Sequence, residues 1–242
     1  MGDDVMQLEE MAAFFDARVG GYEAHMMQNV TGSERFYWET VKALPLKPGM
    51  RLLDLGCGTG LELDRLFPLC PDARVTGIDL SRAMLDALET KHAGRALTLI
   101  QGDYFAVPFP GPFDAAVSVE TMHHFEAEAK LRLFRKIAAS LAPGGCYVEC
   151  DFVAPDDAFE TNCLEGLRSV APNKPAGFYH IDIPMTPEHE LALLRQAFST
   201  AELLWQEDST AIFRAAVQGN GEHNGAPPRT PPKAVPLEPT RE

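Results

Sequence analysis

The chain has 242 residues, 45% of them hydrophobic, which is enough for one sizeable α/β domain and little more. Its 21 Lys and Arg face 35 Asp and Glu, a formal charge of −14 that argues against a nucleic-acid surface and suits a small or cationic ligand. No apolar run approaches the ~18 residues that span a bilayer and no basic segment leads into an apolar core, so a cytoplasmic chain that engages no membrane is expected.

Val5, Leu8, Met11, Ala12, Phe15 and Val19 fall at helical spacing and predict an amphipathic helix over 3–19, ended by Gly20-Gly21. Tyr22, His25 and Met26 follow in a connecting segment, and a second helix is expected from about Ser33 to Ala43, stopped by Pro45 and Pro48. Residues 51–55 form a short apolar run broken only by Asp54, which reads as a buried parallel strand. Gly56, Gly58 and Gly60 then allow a tight turn that a ligand can approach closely. The next helix carries Leu61, Leu63, Leu66 and Phe67 on its apolar side.

A strand, a glycine-rich turn and a helix start make a nucleotide-type site at the carboxyl end of a sheet. The dinucleotide fingerprint fails because Leu61 stands where its third glycine belongs, and no Gly-Lys-Ser/Thr follows to make a phosphate loop. Asp54 would repel a pyrophosphate and welcome a ligand with ammonium and sulfonium charges. Three further strands end near Asp79, Asp103 and Glu120, and Ser81 caps the helix holding Met84, Leu85 and Leu88. The helix over 127–141 shows Leu131, Phe134, Ile137, Ala138 and Leu141 as its sheet-facing stripe, and Pro143-Gly144-Gly145 ends it. In the strand that follows, Cys146, Val148 and Cys150 share one face. The five cysteines include no C-x-x-C pair and read as reduced thiols, with these two in the core.

Residues 154–185 are too long for a bare connection, and Phe159, Cys163, Leu167 and Val170 predict a small helix there, stopped by Pro172. Thr186-Pro187 starts a helix through Leu191, Leu194 and Phe198. AELLWQED and TAIFRAAV then read as a closing hairpin.

DLGCGTG resembles motif I of the class I S-adenosylmethionine-dependent methyltransferases. GIDLS, QGDYF, FDAAVSVETMHHF and LAPGGCYVECDF continue that resemblance in register over residues 50–155. It implies an α/β fold, a Rossmann-like doubly wound sheet of seven strands whose last strand pair is a hairpin with one antiparallel strand. One domain is expected over 1–217, with a helical lid at 1–46 and an active-site insert at 154–185. A Pro-rich tail at 218–242 is expected to be disordered. The implied reaction is direct displacement of a methyl group from S-adenosyl-L-methionine to a small-molecule acceptor, with S-adenosyl-L-homocysteine as product. No nucleic-acid or membrane partner is expected, and monomer and homodimer both stay open. A nicotinamide-dependent oxidoreductase and a non-catalytic S-adenosylmethionine-binding protein are the rival readings.

The resemblance places the donor against Gly56, Cys57 and Gly58 of the loop, Tyr22 of the lid and Glu120. Asp79 suits the ribose hydroxyls, since charge-assisted hydrogen bonds are the strong ones, with Leu80 against the adenine face. Asp103 would accept from the adenine amine while the Tyr104 amide donates to the ring. After Glu120 the chain lacks the Asn/Asp-Pro-Pro-aromatic box of enzymes that methylate nucleic-acid bases, which counts against that activity. It has instead His123 and His124, candidates for a general base. His124 has two other readings open to it: a hydrogen bond to a neighbouring loop, or a cap on the helix near Glu126. Consecutive side chains on a strand end point apart, so no metal is expected on the pair. His180-x-Asp182 matches part of a two-His-one-carboxylate iron site but lacks a jelly-roll pattern around it. Phe178, Tyr179 and His180 are expected to shape the substrate pocket.

Overall fold

The structure, a computed structural model, describes residues 9–170 and 177–219. Its frame is one seven-stranded sheet. In chain order the strands are β1 (Arg51–Leu55), β2 (Arg74–Asp79), β3 (Ala96–Gln101), β4 (Phe113–Val119), β5 (Leu141–Phe152), β6 (Thr200–Glu207) and β7 (Thr210–Ala216). They lie in the order β3-β2-β1-β4-β5-β7-β6. The first five are parallel, and β7 runs antiparallel to both β5 and β6, so the closing hairpin with one reversed strand is as expected.

Leu52, Leu53 and Leu55 are fully buried because helices cover both faces of the sheet. On one face α2 (Ser33–Ala43), α3 (Leu63–Leu69) and α4 (Arg82–Lys91) bury Phe36, Leu66 and Leu85 against β1 and β5. On the other, α5 (Ala127–Ser140) and α7 (Pro187–Ala197) bury Phe134, Ile137 and Leu194 against Leu53 and Tyr147. Cys146 and Cys150 are buried on β5, in the core as expected. Ser81 caps α4 through Met84 N–H at 3.1 Å, and Thr186 caps α7 through His189 N–H at 3.4 Å.

Three local expectations fail, each for a tertiary reason. The first helix, α1 (Met11–Asn29), runs straight through Gly20-Gly21. Two interior glycines cost it about 1 kcal/mol each, and packing against α4 and α2 outweighs them. The part expected at 3–8 lies outside the described residues. On α5 the sheet-facing stripe is turned: Leu131 is half-buried, while Lys130 is fully buried and paired with Glu190 of α7. Hydrophobic spacing cannot reveal a buried lysine whose partner lies 60 residues away. Finally, Pro143-Gly144-Gly145 does not separate α5 from β5. It forms a bulge inside the strand, where the register with β4 jumps from Leu141 to Cys146.

The insert after β5 holds α6 (Asp157–Val170), and residues 177–185 return across the carboxyl end of the sheet. There Ile183 N–H donates to the His123 carbonyl at 2.8 Å, and the Ala154 amide to the Met185 carbonyl at 2.9 Å. Pro172 and the tail from residue 220 lie outside the described residues.

Candidate active site

The strand order reverses between β1 and β4, and the crevice at their carboxyl ends is where such sheets bind ligands. After β1, Gly56 takes φ +69, and its amide donates to the Ile78 carbonyl at 2.8 Å. A Cβ there would sit 2.4 Å from Thr121 Oγ1 and 2.9 Å from the Tyr104 hydroxyl, so only glycine fits. Asp79, at the end of β2, accepts from Gly58 N–H at 2.9 Å and from Ser81 N–H at 2.8 Å. Burial pushes its pKa up to about 6 against the pull of those two amides, and Asp16 of α1 adds to the rise. Asp16 itself is hydrogen-bonded to Ser81, which ties α1 to the start of α4.

Asp54 is 1% exposed and Glu62 6% exposed, and neither Asp54 Oδ2 nor Glu62 Oε1 has a partner among the described residues. Burial and the neighbouring Glu62 carboxyl hold Asp54 well above the usual carboxylate range. Met11, Phe15 and Tyr22 of α1 roof a small cavity of about 40 Å³ over Gly56, Gly58, Asp79 and Leu80. Tyr104 lines it with its side chain. Asp103 and Cys57 do not line it: Asp103 accepts from Phe105 N–H at 2.8 Å in its own turn, and Cys57 is buried against Gly77.

Beyond the Tyr22 ring lies a larger cavity of about 660 Å³. Phe15, Tyr22, Glu120 and His124 line both cavities, so the two are contiguous. The larger one is walled by Phe14, Met26 and Val30, with His123, His180 and Asp182 among its polar groups. Phe178 is absent from this wall: it stacks on Phe105 and packs edge-on against Phe125. His180 stacks on Phe14 with ring centroids 3.7 Å apart. Tyr179 bridges to Glu10, which joins the insert to the start of α1.

His123 and His124 do not sit on a strand end. They occupy a 3₁₀ turn over Met122–His124, and this overturns the expectation that their side chains diverge: the ring centroids are 4.0 Å apart. His123 Nδ1 lies 2.7 Å from Asp151 Oδ1 of β5, and its Nε2 lies 3.5 Å from Asp182 Oδ1. Burial alone would lower the His123 pKa, but Asp151 and Asp182 carry it up to about 10. His124 Nδ1 is 2.9 Å from the Ile181 carbonyl oxygen, the loop contact foreseen for it, and it caps no helix. A carbonyl only accepts, so Nδ1 carries the proton and Nε2 keeps its lone pair. Burial and the His123 charge lower its pKa, and burial brings that of His180 to about 4. Glu120 has φ +51 and a pKa raised to about 8 by burial.

A family model described as a methyltransferase domain matches residues 52–145. The ubiquinone biosynthesis O-methyltransferase of Xanthomonas campestris is 32% identical over 178 residues, 69% of this chain and 67% of that protein. The chain belongs to the class I S-adenosylmethionine-dependent methyltransferases. A cypemycin N-terminal methyltransferase from a Streptomyces species is 37% identical over 105 residues, which span 42% of each protein. Among solved structures, a DhpI–SAH complex superposes with a TM-score of 0.66 at 16% identity, covering 86% of this chain and 95% of that one. An O-methyltransferase-like protein from Nostoc punctiforme gives 0.65 at 20% identity, covering 88% and 63%. These likenesses at low identity concern the fold.

The residues present fit the methyl donor of this methyltransferase family. Two buried carboxyl oxygens without partners, on Asp54 and Glu62, suit an ammonium group. Each Asp79 oxygen keeps a second lone pair beyond its amide bond. Sequence reasoning missed Glu62, Thr121 and Asp151. Glu62 was within reach, because it closes the same glycine-rich stretch. Asp151 carried no signal, since its partner is 28 residues away.

Proposed function

We propose that this methyltransferase transfers the methyl group to a small, largely apolar acceptor held in the 660 Å³ cavity beneath α1. The observation that carries the reading is the junction of the two cavities at Glu120 and His124. A donor lying over Gly56 and Gly58 and an acceptor under Phe14 and Met26 meet there.

The donor, when bound, supplies an electrophilic methyl: the acceptor's lone pair bonds to carbon as the carbon–sulfur bond breaks and its electrons stay on sulfur, leaving S-adenosyl-L-homocysteine. The protein's task is alignment and the exclusion of water, worth about 7–11 kcal/mol when geometry is well set. In our reading Asp79 holds the ribose hydroxyls, Leu80 lies against adenine, and Asp54 with Glu62 takes the ammonium. Tyr104 and Glu120 line the same subsite, while Asp103 holds the turn before Tyr104 and Cys57 packs behind the loop. His123 and His124 face the acceptor at the point where its proton leaves, and His180 packs against it from the insert. At about 40 Å³ the donor-side cavity has room for a few waters only, so Met11, Phe15 and Tyr22 must shift to seat the donor.

The test is calorimetric titration of the donor followed by an acceptor screen that follows S-adenosylhomocysteine release. Saturable donor binding that weakens in Asp79→Ala, with turnover of a phenol, enol or amine acceptor, is the expected result. Absence of donor binding overturns the proposal.

A further inference from the structure

The acceptor-side cavity is lined by more acid than base. Among the described residues along it, Arg18 is the one arginine or lysine, and it is committed elsewhere: two of its nitrogens each lie 3.1 Å from a Glu9 oxygen, and its guanidinium sits over the Phe14 ring. His123 carries a charge, but its two ring nitrogens face the carboxylates of Asp151 and Asp182, two acids to one imidazolium. Asp182 stays ionised, because the two neighbouring histidines hold its carboxyl well below the usual carboxylate range.

Glu120 adds a third acid where the two cavities join. Its Oε1 is buried and has no partner among the described residues. A buried acceptor that no protein donor satisfies destabilises the fold, and a ligand N–H relieves it. Glu120 reaches this place on a left-handed backbone, φ +51, strain of the kind that collects at functional sites. Phe15 and Tyr22 line the same junction, their ring planes at 80° and their centroids 6.2 Å apart. Two rings set as a corner beside a carboxylate select for a cation: the ring faces carry negative quadrupole charge, and the acid supplies a full one.

We propose that Phe15, Tyr22 and Glu120 form a recognition corner for an ammonium group, so that the acceptor is a small apolar amine and nitrogen is the atom methylated. An anionic acceptor would meet Glu120 and Asp182 as like charges. The ammonium gives one proton to His124 Nε2, whose lone pair is free because Nδ1 is turned to the Ile181 carbonyl, and that proton passes to water in the cavity. The freed nitrogen lone pair then bonds to methyl as the carbon–sulfur bond breaks, and the product leaves as the methylated ammonium. This deepens the proposed function by naming the class of acceptor, and it rests on that reading for the acceptor's position.

Glu120 also gives binding a signature. Burial lifts its pKa to about 8, with His123 pulling it down, Asp151 and Asp182 pushing it up, and Tyr22 of α1 close by. At pH 7 the carboxyl is mostly protonated before the acceptor binds, and a fixed cation expels that proton.

The full chain is first saturated with S-adenosyl-L-homocysteine, followed by calorimetry, and then titrated at pH 7 with benzyltrimethylammonium in buffers of different ionisation enthalpy. Saturable binding with release of close to one proton per chain is expected, and benzoate, similar in size and opposite in charge, does not bind. Glu120→Gln weakens the cation roughly 10- to 100-fold and removes the proton release. Phe15→Leu keeps the wall apolar and weakens the cation about 2- to 30-fold, with the proton still released. No saturable cation binding to the product-loaded chain, benzoate binding as tight as the cation's, or unchanged proton release in Glu120→Gln overturns the ammonium site and leaves the donor site standing. The proton count on the parent chain decides the matter even if Glu120→Gln does not fold. Failure of S-adenosyl-L-homocysteine to bind in the first step overturns the donor reading and this inference with it.

Discussion

The two cavities are built in opposite ways. The donor side is local: β1, its glycine turn and the tip of β2 place Asp54, Gly56, Gly58, Glu62 and Asp79 within 26 residues, and backbone amides fix the geometry. The acceptor side is assembled from α1, the turn after β4, the end of β5 and the insert, so its polar core joins residues 57 apart, such as His124 and Ile181. A strand-turn-helix unit is specified by short-range sequence, whereas a wall made of loops is specified by what packs behind it. One frame can thus keep its donor grip while its acceptor wall is replaced.

That division predicts that variants on one side leave the other side's binding intact. The largest effect is expected from His124→Ala, which lowers kcat by about 10²- to 10⁴-fold through loss of the lone pair that faces the acceptor's proton. Donor affinity, read by calorimetry, stays at the parent value. A matching fall in donor affinity would mean that the cavities are not separable.

Asp79→Ala is the reciprocal variant. Losing charge-assisted hydrogen bonds there costs about 1.5–3 kcal/mol of donor binding, while a bound acceptor analogue is retained. The same group sets a pH dependence. With its folded pKa near 6, above the usual carboxylate value, Asp79 takes up a proton as pH falls through about 6. The protonated form is a poorer acceptor, so donor affinity falls from pH 7 to pH 5. The sign for stability is opposite: burial disfavours the ionised form, so Asp79's contribution worsens as pH rises from about 4 to about 6. Asp79→Asn flattens both curves, as donor titrations and denaturant melts at each pH can check.

Gly56→Ala tests the glycine turn on the donor side, because the new Cβ would press on Thr121 Oγ1 and the Tyr104 hydroxyl at a left-handed φ. Overpacking of this kind costs about 1–3 kcal/mol, and denaturant unfolding should show it together with weaker donor binding.

How much was legible beforehand follows the same line. The five parallel strands, the closing hairpin and the Ser81 and Thr186 caps all rest on local pattern, and they stand where the sequence put them. The convergence of His123, His124 and Asp182 was hidden because a 3₁₀ turn, not strand geometry, sets the two rings. Lys130 was hidden because its charge is matched only in three dimensions. Phe178 was assigned to the acceptor wall, yet it packs on Phe105 and Phe125 because the segment after α6 folds back toward the sheet.

The smallest predicted effect concerns the element shared by both cavities. Gly20 and Gly21 were expected to end α1, but the helix passes through them, and a Cβ on either would meet nothing within 4 Å. They are therefore not required by close packing, and each leaves the lid helix less stable by about 0.5–1 kcal/mol relative to alanine. Since Met11, Phe15 and Tyr22 on this same helix must yield for the donor to enter, a softer lid favours entry. Gly20→Ala with Gly21→Ala should raise the melting temperature slightly and slow donor association in stopped-flow, with the equilibrium structure unchanged. Faster association in the stiffened helix would show that entry does not depend on bending at this point.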